Sequence, residues 1–379
     1  MYLDNAATSL PKPSGVADAV ADAVRRAGNP GRSGHLLSIR SARDLFVARE
    51  RLAELFGCTD SSRFVFAGNA TVALNQAIKG VLRPGDHVVT TSVEHNSVMR
   101  PLRRMEEAGV RITVVPAGGD GVTEARDVIA AFRKETRLVV MVHASNVSGA
   151  LQPVDVVVAA AHRRGILTLI DAAQTAGCVP IDLSSLPVDL VASSGHKGLL
   201  GPQGTGFLFV REGVPIVPLI EGGTGSRSES DRQPEFFPDA LESGTQNSVG
   251  AAGLAVSLAW ILRKGVATIR RREVGLVERL LKGLSGIPGV KVYGPGDPAR
   301  RGSAVSFRVE GMDPAEVGMR LEKRSGVLVR AGLHCSPNSH RALGTFPAGT
   351  VRVSPGPFTT RTEIATFLSA LRTIRAAGA

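Results

Sequence analysis

Six short apolar runs recur between Phe64 and Ala192, and most of them are separated by segments with helical spacing of apolar residues. These runs lie at 64–66, 87–90, 111–115, 138–142, 166–170 and 190–192. Strands that are apolar on both faces and alternate with helices are typical of a largely parallel sheet covered by helices on both sides. In such a sheet the loops after the carboxyl ends of the strands converge on a ligand crevice.

The segments before these six apolar runs are predicted to be helical. Apolar residues at helical spacing predict a helix that begins near Pro13 and stops at Gly28. A loop rich in Gly, Pro and Ser is predicted at 29–35, and a second helix covers about 39–56.

The sequence after the six apolar runs has a different pattern of helices and strands. A long apolar helix at about 248–262 is followed by an amphipathic helix at about 266–284. Residues 304–309 alternate like a half-buried strand, and a final helix begins at the capping box Thr360-x-x-Glu363. These patterns indicate a smaller α+β unit at the C-terminal end.

We therefore expect an α/β protein with two domains. The large domain comprises residues 14–250, and the small domain comprises residues 1–13 together with 251–379. A chain of 379 residues is long enough for two or three domains with sizeable cores.

Composition favours an ordinary cytoplasmic protein. No apolar run approaches the roughly 18 to 20 residues that span a bilayer, and no secretory signal pattern is visible. The formal charge is +11, but the basic residues are scattered in pairs and triplets and only two tyrosines and one tryptophan could stack on bases. We therefore expect neither nucleic-acid nor membrane binding. The three cysteines cannot build a disulfide framework.

Lys197 stands in a Gly-rich stretch, 191–206, between two apolar runs. Burial there would lower the pKa of its ammonium group and make the neutral amine available as a nucleophile and base for Schiff-base chemistry. The alternative is a structural lysine that extends from a glycine loop towards solvent. A phosphate-binding P-loop is excluded, because the Gly-x4-Gly-Lys-[Ser/Thr] order is absent.

Polar side chains follow several of the predicted strands. Thr71 lies at the start of a helix that could hold a phosphate, although it could equally be a plain N-cap. His95 and Asn146 follow two later strands, where each could bind a ligand or serve the local structure. Asp171 directly follows an apolar strand, and a buried carboxylate there requires a cationic partner.

The small unit adds three candidates. Arg330 and Arg352 could clamp a carboxylate or form ordinary ion pairs. Cys335 lies in a loop beside Gly332 and His334, which suits a reactive thiolate. We predict no metal site, because His334, Cys335 and His340 lack a second spaced ligand pair. The other two cysteines, Cys58 and Cys178, are expected to pack as small apolar residues.

Six motifs in register resemble the class V aminotransferase family of fold-type-I pyridoxal-phosphate (PLP) enzymes, and most closely its cysteine desulfurase and selenocysteine lyase branch. The motifs lie at 2–8, 94–97, 171–174, 194–197, 242–247 and 330–335. The resemblance implies a mostly parallel seven-stranded sheet between helices, with a smaller α+β C-terminal domain.

The resemblance also implies a role for each cofactor-binding residue. Lys197 would bind the PLP aldehyde, Asp171 would pair with the protonated pyridine nitrogen, and His95 would stack on the ring. Gln174 would bond the phenolic oxygen, and Asn146 would contact both cofactor and substrate. The phosphate would be held by Thr71, Ser194 and His196, together with Thr245 from the neighbouring subunit of a homodimer.

By the same resemblance, Asn146 and Arg352 would bind the substrate carboxylate, and Arg330 would line the pocket beside the cysteine loop. Cys335 would attack the substrate sulfur, release L-alanine from L-cysteine, and pass the persulfide sulfur to an acceptor protein, as in iron–sulfur cluster assembly. The alternatives are a selenocysteine lyase, or another class V lyase or transaminase, with Cys335 uninvolved. A non-catalytic basic binding protein is the alternative from a different class.

The chain departs from the family pattern at the phosphate loop, where Ala70-Thr71-Val72 replaces the usual run with a second hydroxyl and a carboxylate. We expect phosphate binding to persist through Thr71 and backbone amides, and contacts near Val72 to differ. The segment after Cys335, residues 336–347, resembles a less characterised subgroup of the branch.

Overall fold

The computed structural model describes residues 1–31 and 34–376. The helices are α1 (Val16–Arg26), α2 (Leu36–Phe56), α3 (Ala70–Val81), α4 (Asn96–Glu107), α5 (Ala125–Ala130), α6 (Val154–His162), α7 (Ser248–Lys264), α8 (Val266–Ser285), α9 (Pro314–Ser325), α10 (Pro337–Ala342) and α11 (Arg361–Ala376). The strands are β1 (Phe64–Ala67), β2 (His87–Thr91), β3 (Arg111–Val115), β4 (Thr136–Val142), β5 (Leu167–Asp171), β6 (Leu190–Ser194), β7 (Gly206–Val210), β8 (Val290–Tyr293), β9 (Val305–Val309), β10 (Arg330–Gly332) and β11 (Thr350–Val353).

A seven-stranded sheet forms the centre of the molecule, in the order β1-β7-β6-β5-β4-β2-β3. Strand β7 is antiparallel to both of its neighbours, and the pairs from β6 to β3 are parallel. This arrangement confirms the predicted α/β fold with a mostly parallel sheet. The carboxyl ends of the parallel strands lie at one edge, so the polar residues that follow them are brought to the same place.

Alternate residues of the strands enter two separate cores, because successive side chains point to opposite faces of a sheet. One core lies against α3 and α4 and includes Leu74, Ile78, Val88, Leu102, Leu138 and Val140. The other lies against α2, α6 and α7 and includes Leu52, Val89, Val139, Met141, Val157 and Leu254. Burying each such side chain stabilises the fold by about 1.5–3 kcal/mol relative to exposure.

The second sheet has four antiparallel strands in the order β10-β11-β9-β8. Its core, which it shares with α8, α9 and α11, includes Leu276, Leu280, Phe307, Leu321, Phe367 and Leu371. The N-terminal segment joins this unit: Tyr2 pairs with Leu328, Asp4 pairs with Ser354, and Leu3 is buried in the same core. The predicted small α+β unit is therefore present.

The domain boundaries stay a prediction. Residues 1–4 pack with the small sheet, as the predicted division requires. Leu254, Leu258 and Ile261 of α7, which follow the predicted boundary at residue 250, pack in the core of the large sheet.

Several local predictions can be compared directly with the structure. The capping box is formed, since Glu363 N donates to Thr360 Oγ1 (3.2 Å) and Thr360 N donates to Glu363 Oε2 (2.7 Å). Part of the loop predicted at 29–35 lies outside the described residues. No single described helix is long and apolar enough to cross a membrane; α7 and α8 together meet that criterion only as a pair bent by 81°.

Candidate active site

A cavity of about 270 Å³ lies beside the carboxyl ends of β4, β5 and β6. The structure brings eight of the predicted cofactor-binding residues to its wall: Thr71, His95, Asn146, Asp171, Gln174, Ser194, His196 and Lys197. These residues come from five separate segments of the chain, so the sheet topology assembles them. The ninth, Thr245, lies elsewhere.

Lys197 is carried by the connection between β6 and β7. This connection passes so close to Thr205 that a Cβ at position 195 would collide with it, so the position requires glycine. The carbonyl oxygen of His196, the residue before the lysine, accepts hydrogen bonds from Ser9 N and from Lys12 Nζ, each at 3.0 Å. The N-terminal segment therefore holds the lysine loop in place.

Burial, together with the positive charges of Arg352 and Arg330, lowers the pKa of Lys197 to about 8 against the opposing effect of Asp171. An amine with this pKa is neutral in a substantial fraction of molecules near neutral pH, so it can act as nucleophile and base. This electrostatic setting agrees with the reactive interpretation of the lysine.

Asp171 ends β5 and is almost completely buried. Its Oδ1 accepts a hydrogen bond from Ala173 N at 2.9 Å, and burial raises the pKa of the carboxyl group. No lysine, arginine or histidine nitrogen of the described residues lies within 4.0 Å of it. A buried carboxylate at the cavity wall without a close cation fits a ligand that brings a positive charge.

His95 caps the N-terminus of α4. Its Nδ1 accepts a hydrogen bond from Ser97 N at 3.0 Å. Burial, together with Lys197 and nearby arginines, lowers the pKa of the imidazole to about 4, so the ring is neutral. Because Nδ1 is the acceptor, the single proton of the neutral ring resides on Nε2.

Three further residues of the cavity wall, Thr71, Ser194 and His196, suit an anion. Asn69, not Thr71, caps α3 by accepting a hydrogen bond from Val72 N at 3.1 Å, which leaves the exposed Thr71 hydroxyl available. Ser194 Oγ accepts from Ala70 N at 2.9 Å and can still donate its own proton. His196 Nδ1 is buried without a hydrogen-bond partner among the described residues. Hydroxyl groups beside the start of a helix are the kind of groups that hold a phosphate.

The amide side chains of Gln174 and Asn146 already form hydrogen bonds within the chain. Gln174 Nε2 donates to the Ala6 carbonyl oxygen at 3.0 Å. Asn146 Nδ2 donates to the His334 carbonyl oxygen, and its Oδ1 accepts from Ser336 Oγ, each at 2.7 Å. Asn146 therefore links the wall of the cavity to the cysteine loop.

Arg352 and Arg330 lie on adjacent strands, β11 and β10, and their Cα atoms are directly paired. Arg352 Nη2 donates to Asp4 Oδ1 at 2.7 Å, and Nη1 donates to the Asn146 carbonyl oxygen at 3.0 Å. Arg330 is less buried, and its Nη2 lies 3.8 Å from the sulfur of Cys335.

Cys335 is exposed, whereas Cys178 is buried and Cys58 is intermediate. The backbone at His334 and Cys335 has φ values of 48° and 59°, which are uncommon for residues with a side chain. The loop is secured where Asn96 N donates to the Cys335 carbonyl oxygen at 2.9 Å. Cys335 lines a hollow of about 370 Å³ that shares Thr71, His95 and Ser97 with the Lys197 cavity.

Thr245 lines a different cavity of about 280 Å³, together with Val72, Leu219 and Ile220. It therefore does not reach the site of its own chain. Its prediction as a residue that completes the site of a neighbouring subunit stays a prediction.

Sequence reasoning missed three residues of the site. Asp4 was noted only as part of a motif, although it pairs with Arg352. Ser336 and Ser97 were given no role, although they hydrogen-bond Asn146 and His95.

Comparisons with known proteins agree with this geometry. The class-V aminotransferase family matches residues 1–367 of the chain. A probable cysteine desulfurase of Methanothermobacter thermautotrophicus is 36% identical over 371 residues, which cover 96% of this chain and 92% of that protein. A cysteine desulfurase from Thermococcus onnurineus superimposes with a TM-score of 0.93 at 32% identity and covers 100% of this chain and 95% of that one. A cysteine desulfurase from Escherichia coli gives a TM-score of 0.90 at 26% identity, with 99% and 94% covered. The chain belongs to the class-V aminotransferase family.

Proposed function

We propose that this protein is a PLP-dependent cysteine desulfurase, which converts L-cysteine to L-alanine and carries the sulfur as a persulfide on Cys335. The observation that supports this most strongly is the position of the exposed Cys335 thiol, beside Arg330 and at a hollow that adjoins the Lys197 cavity. The relatives of the chain that are named cysteine desulfurases support the same activity.

The residues at the cavity fit PLP. Lys197 would bind its aldehyde, Asp171 its protonated ring nitrogen, and His95 the face of its ring. Thr71, Ser194 and His196 would hold the phosphate. When bound, PLP supplies an electron sink that stabilises negative charge at the substrate α-carbon.

The substrate carboxylate would be bound by Arg352 and Asn146. Lys197, whose pKa is lowered to about 8, would take the proton from the α-carbon and hold it for return to the product. His95 is neutral and carries its proton on Nε2, so it can donate a hydrogen bond without adding a positive charge.

Cys335 would act as a thiolate beside the guanidinium of Arg330. Its sulfur attacks the substrate sulfur, so that one S–S bond forms and the substrate C–S bond breaks. The electron pair of the broken bond stays with the β-carbon, which takes up a proton to give L-alanine. The outer sulfur of the persulfide then passes to the thiol of an acceptor protein.

We further propose that the protein acts as a homodimer in which Thr245 of one subunit binds the cofactor phosphate of the other. Thr245 lies outside the cavity of its own chain, and Ile220 and Val72 beside it are exposed apolar residues. Burying such residues against a second copy would remove apolar surface from water.

The activity is tested with the purified, PLP-loaded protein and L-cysteine, by measuring alanine and sulfide with and without a reducing thiol. We expect equal amounts of both products with the thiol, and a loss of at least ~100-fold in Cys335→Ala, because the nucleophile is removed. Cys58→Ala serves as the matched control and should retain activity. Full turnover in Cys335→Ala would reject the persulfide mechanism and favour a selenocysteine lyase or another lyase of the family.

The covalent role of Lys197 has its own measurement. Borohydride treatment of the loaded protein followed by peptide mass analysis should find the reduced cofactor attached to Lys197. A cofactor that is fixed to another lysine, such as Lys12, would contradict the assignment.

A further inference from the structure

Arg301 is a fully buried arginine outside the site described above, with an exposure of 0%. No carboxylate oxygen of the described residues lies within 4.0 Å of its guanidinium. Burial lowers its pKa to about 10, so the group still carries its charge at neutral pH. A charge that is buried without an acid is costly, so the contacts that retain it need an explanation.

The guanidinium of Arg301 joins the two sheets of the molecule. It donates to four backbone carbonyl oxygens, from Nη1 to Pro295 (2.9 Å) and from Nη2 to Ser148 (2.6 Å), Ala304 (3.0 Å) and Tyr293 (3.1 Å). Ser148 belongs to the turn after β4 of the large sheet, whereas the other three acceptors lie beside the end of β8 or the start of β9 in the small sheet. A planar fork of N–H donors suits this task, because it reaches several acceptors at once.

The turn after β4, residues 145–149, lies closely against the small sheet. Gly302 N donates to the Gly149 carbonyl oxygen at 2.8 Å. Ser306 Oγ donates to the Val147 carbonyl oxygen at 2.7 Å. The carbonyl group between these two is the one that the buried guanidinium holds. Three consecutive carbonyl groups of the turn are therefore bonded to the small-sheet unit.

Asn146 lies in the same turn and lines the Lys197 cavity. Its side chain bonds the cysteine loop at His334 and Ser336, and its carbonyl oxygen accepts from Arg352 at 3.0 Å. Because all of these contacts are made by one residue, a shift of the turn would displace them together.

We propose that Arg301 is a positioning residue, which fixes the turn after β4 to the small sheet and so holds Asn146 in the orientation that binds the substrate carboxylate. Arg301 does not line the Lys197 cavity, so it acts through Asn146 and not on the substrate directly. The inference deepens the proposed function and rests on its assignment of the substrate carboxylate to Asn146 and Arg352.

The test is a double-mutant cycle on the binding of L-alanine, the product of the proposed reaction. Its Kd is measured by calorimetry in PLP-loaded wild type, Arg301→Lys, Asn146→Ala and the double variant. We expect the Kd to rise at least ~5-fold in each single variant, because a misplaced binding group loses its contact with the ligand. The double variant should show no larger rise than the weaker-binding single variant, since both changes remove the same contact.

Arg300→Lys is the matched control, because the neighbouring Arg300 is exposed and undergoes the same chemical change. Its Kd should equal that of wild type. Arg301→Gln keeps two N–H donors without the charge and provides a second variant if Arg301→Lys does not fold. Urea unfolding of each variant separates a loss of stability from a loss of binding.

A folded Arg301 variant that binds L-alanine as wild type does overturns the proposal, even if it is less stable, because Arg301 would then serve the fold alone. Kd changes that multiply in the double variant also overturn it, as does an unchanged Kd in Asn146→Ala, since either result removes the route through Asn146. The proposed function fails separately, if wild type binds L-alanine but does not desulfurate L-cysteine. The cycle remains decisive for Arg301 in that case, because it requires no turnover. A wild type that binds no L-alanine overturns both.

Discussion

Glu94 is a buried carboxylic acid next to His95 and is only 1% exposed. Its Oε1 accepts hydrogen bonds from Thr91 Oγ1 (2.6 Å) and Val142 N (3.0 Å), whereas Oε2 has no partner among the described residues. Burial, together with the negative charge of Asp171, raises the pKa of the carboxyl group to about 8. Glu94 therefore carries its proton at neutral pH.

This raised pKa predicts a pH-dependent stability. Between the ordinary pKa of 4.5 and about 8, the folded protein holds one more proton at Glu94 than the unfolded chain does. The free energy of unfolding should therefore decrease as the pH rises through this range, by up to about 1.4 kcal/mol per pH unit from this group. Glutamine has nearly the shape of a protonated glutamate but does not titrate. Glu94→Gln should therefore lose less unfolding free energy than wild type as the pH rises.

The measurement is urea unfolding of cofactor-free wild type and Glu94→Gln at several values between pH 5 and pH 8. Glu107→Gln, which changes an exposed acid paired with Arg104, controls for the altered net charge. If wild type and Glu94→Gln lost stability equally over this range, Glu94 would not be the protonated group.

The sequence predicted those site residues whose role depends on their own neighbours in the chain. Lys197 and Asp171 each follow an apolar strand, where a charge requires an explanation. Asp4 could not be assigned in this way, because its partner Arg352 lies 348 positions further along the chain. Likewise Asn146 reaches Ser336 over 190 positions, so its link to the cysteine loop emerges only when the small sheet meets the large one.

The capping box of helix α11 was predicted from the sequence, and it should contribute to the stability of the fold. Its capping box joins Thr360 and Glu363 by reciprocal hydrogen bonds, and its apolar face places Phe367 and Leu371 in the small core. We expect Thr360→Ala to lower the free energy of unfolding by about 1 kcal/mol, because a helix amide loses its acceptor.

Thr373→Ala on the same helix is the matched control. Thr373 is exposed and donates only to the carbonyl oxygen of Ser369 within the helix, so alanine should be neutral or slightly stabilising there. Urea unfolding of the two variants separates the effects. Equal stabilities would show that the capping box contributes nothing.

Strands were predicted well where burial on both faces makes them continuously apolar, as in β4, where the predicted run 138–142 lies within Thr136–Val142. Strand β10 has only three residues, Arg330–Gly332, and its sequence is polar and glycine-containing. Its conformation is set by pairing with β11, which is not a local property of the chain. Such short strands could not be predicted from periodicity.

An apolar region of the surface lies outside the three cores described above. Ile220 is 63% exposed and Val72 is 42% exposed, and both line the cavity that contains Thr245. Leu219 lines the same cavity. A contiguous apolar surface of this kind is typical of an interface between subunits. The departure at Val72 from the family pattern therefore falls where the proposed second copy would bind.

This surface predicts both the mass of the particle and the cofactor affinity. Sedimentation of the wild type should give about twice the chain mass of 39.6 kDa. Ile220→Asp places a charge in the apolar contact, so it should shift the protein towards monomer and weaken PLP retention, since Thr245 would no longer reach the neighbouring phosphate. Val156→Asp, at a residue of α6 that is 56% exposed and does not line this cavity, is the control and should change neither property. A wild type that sediments as a monomer and retains PLP would contradict the shared site, because every contact with the cofactor would then come from a single chain.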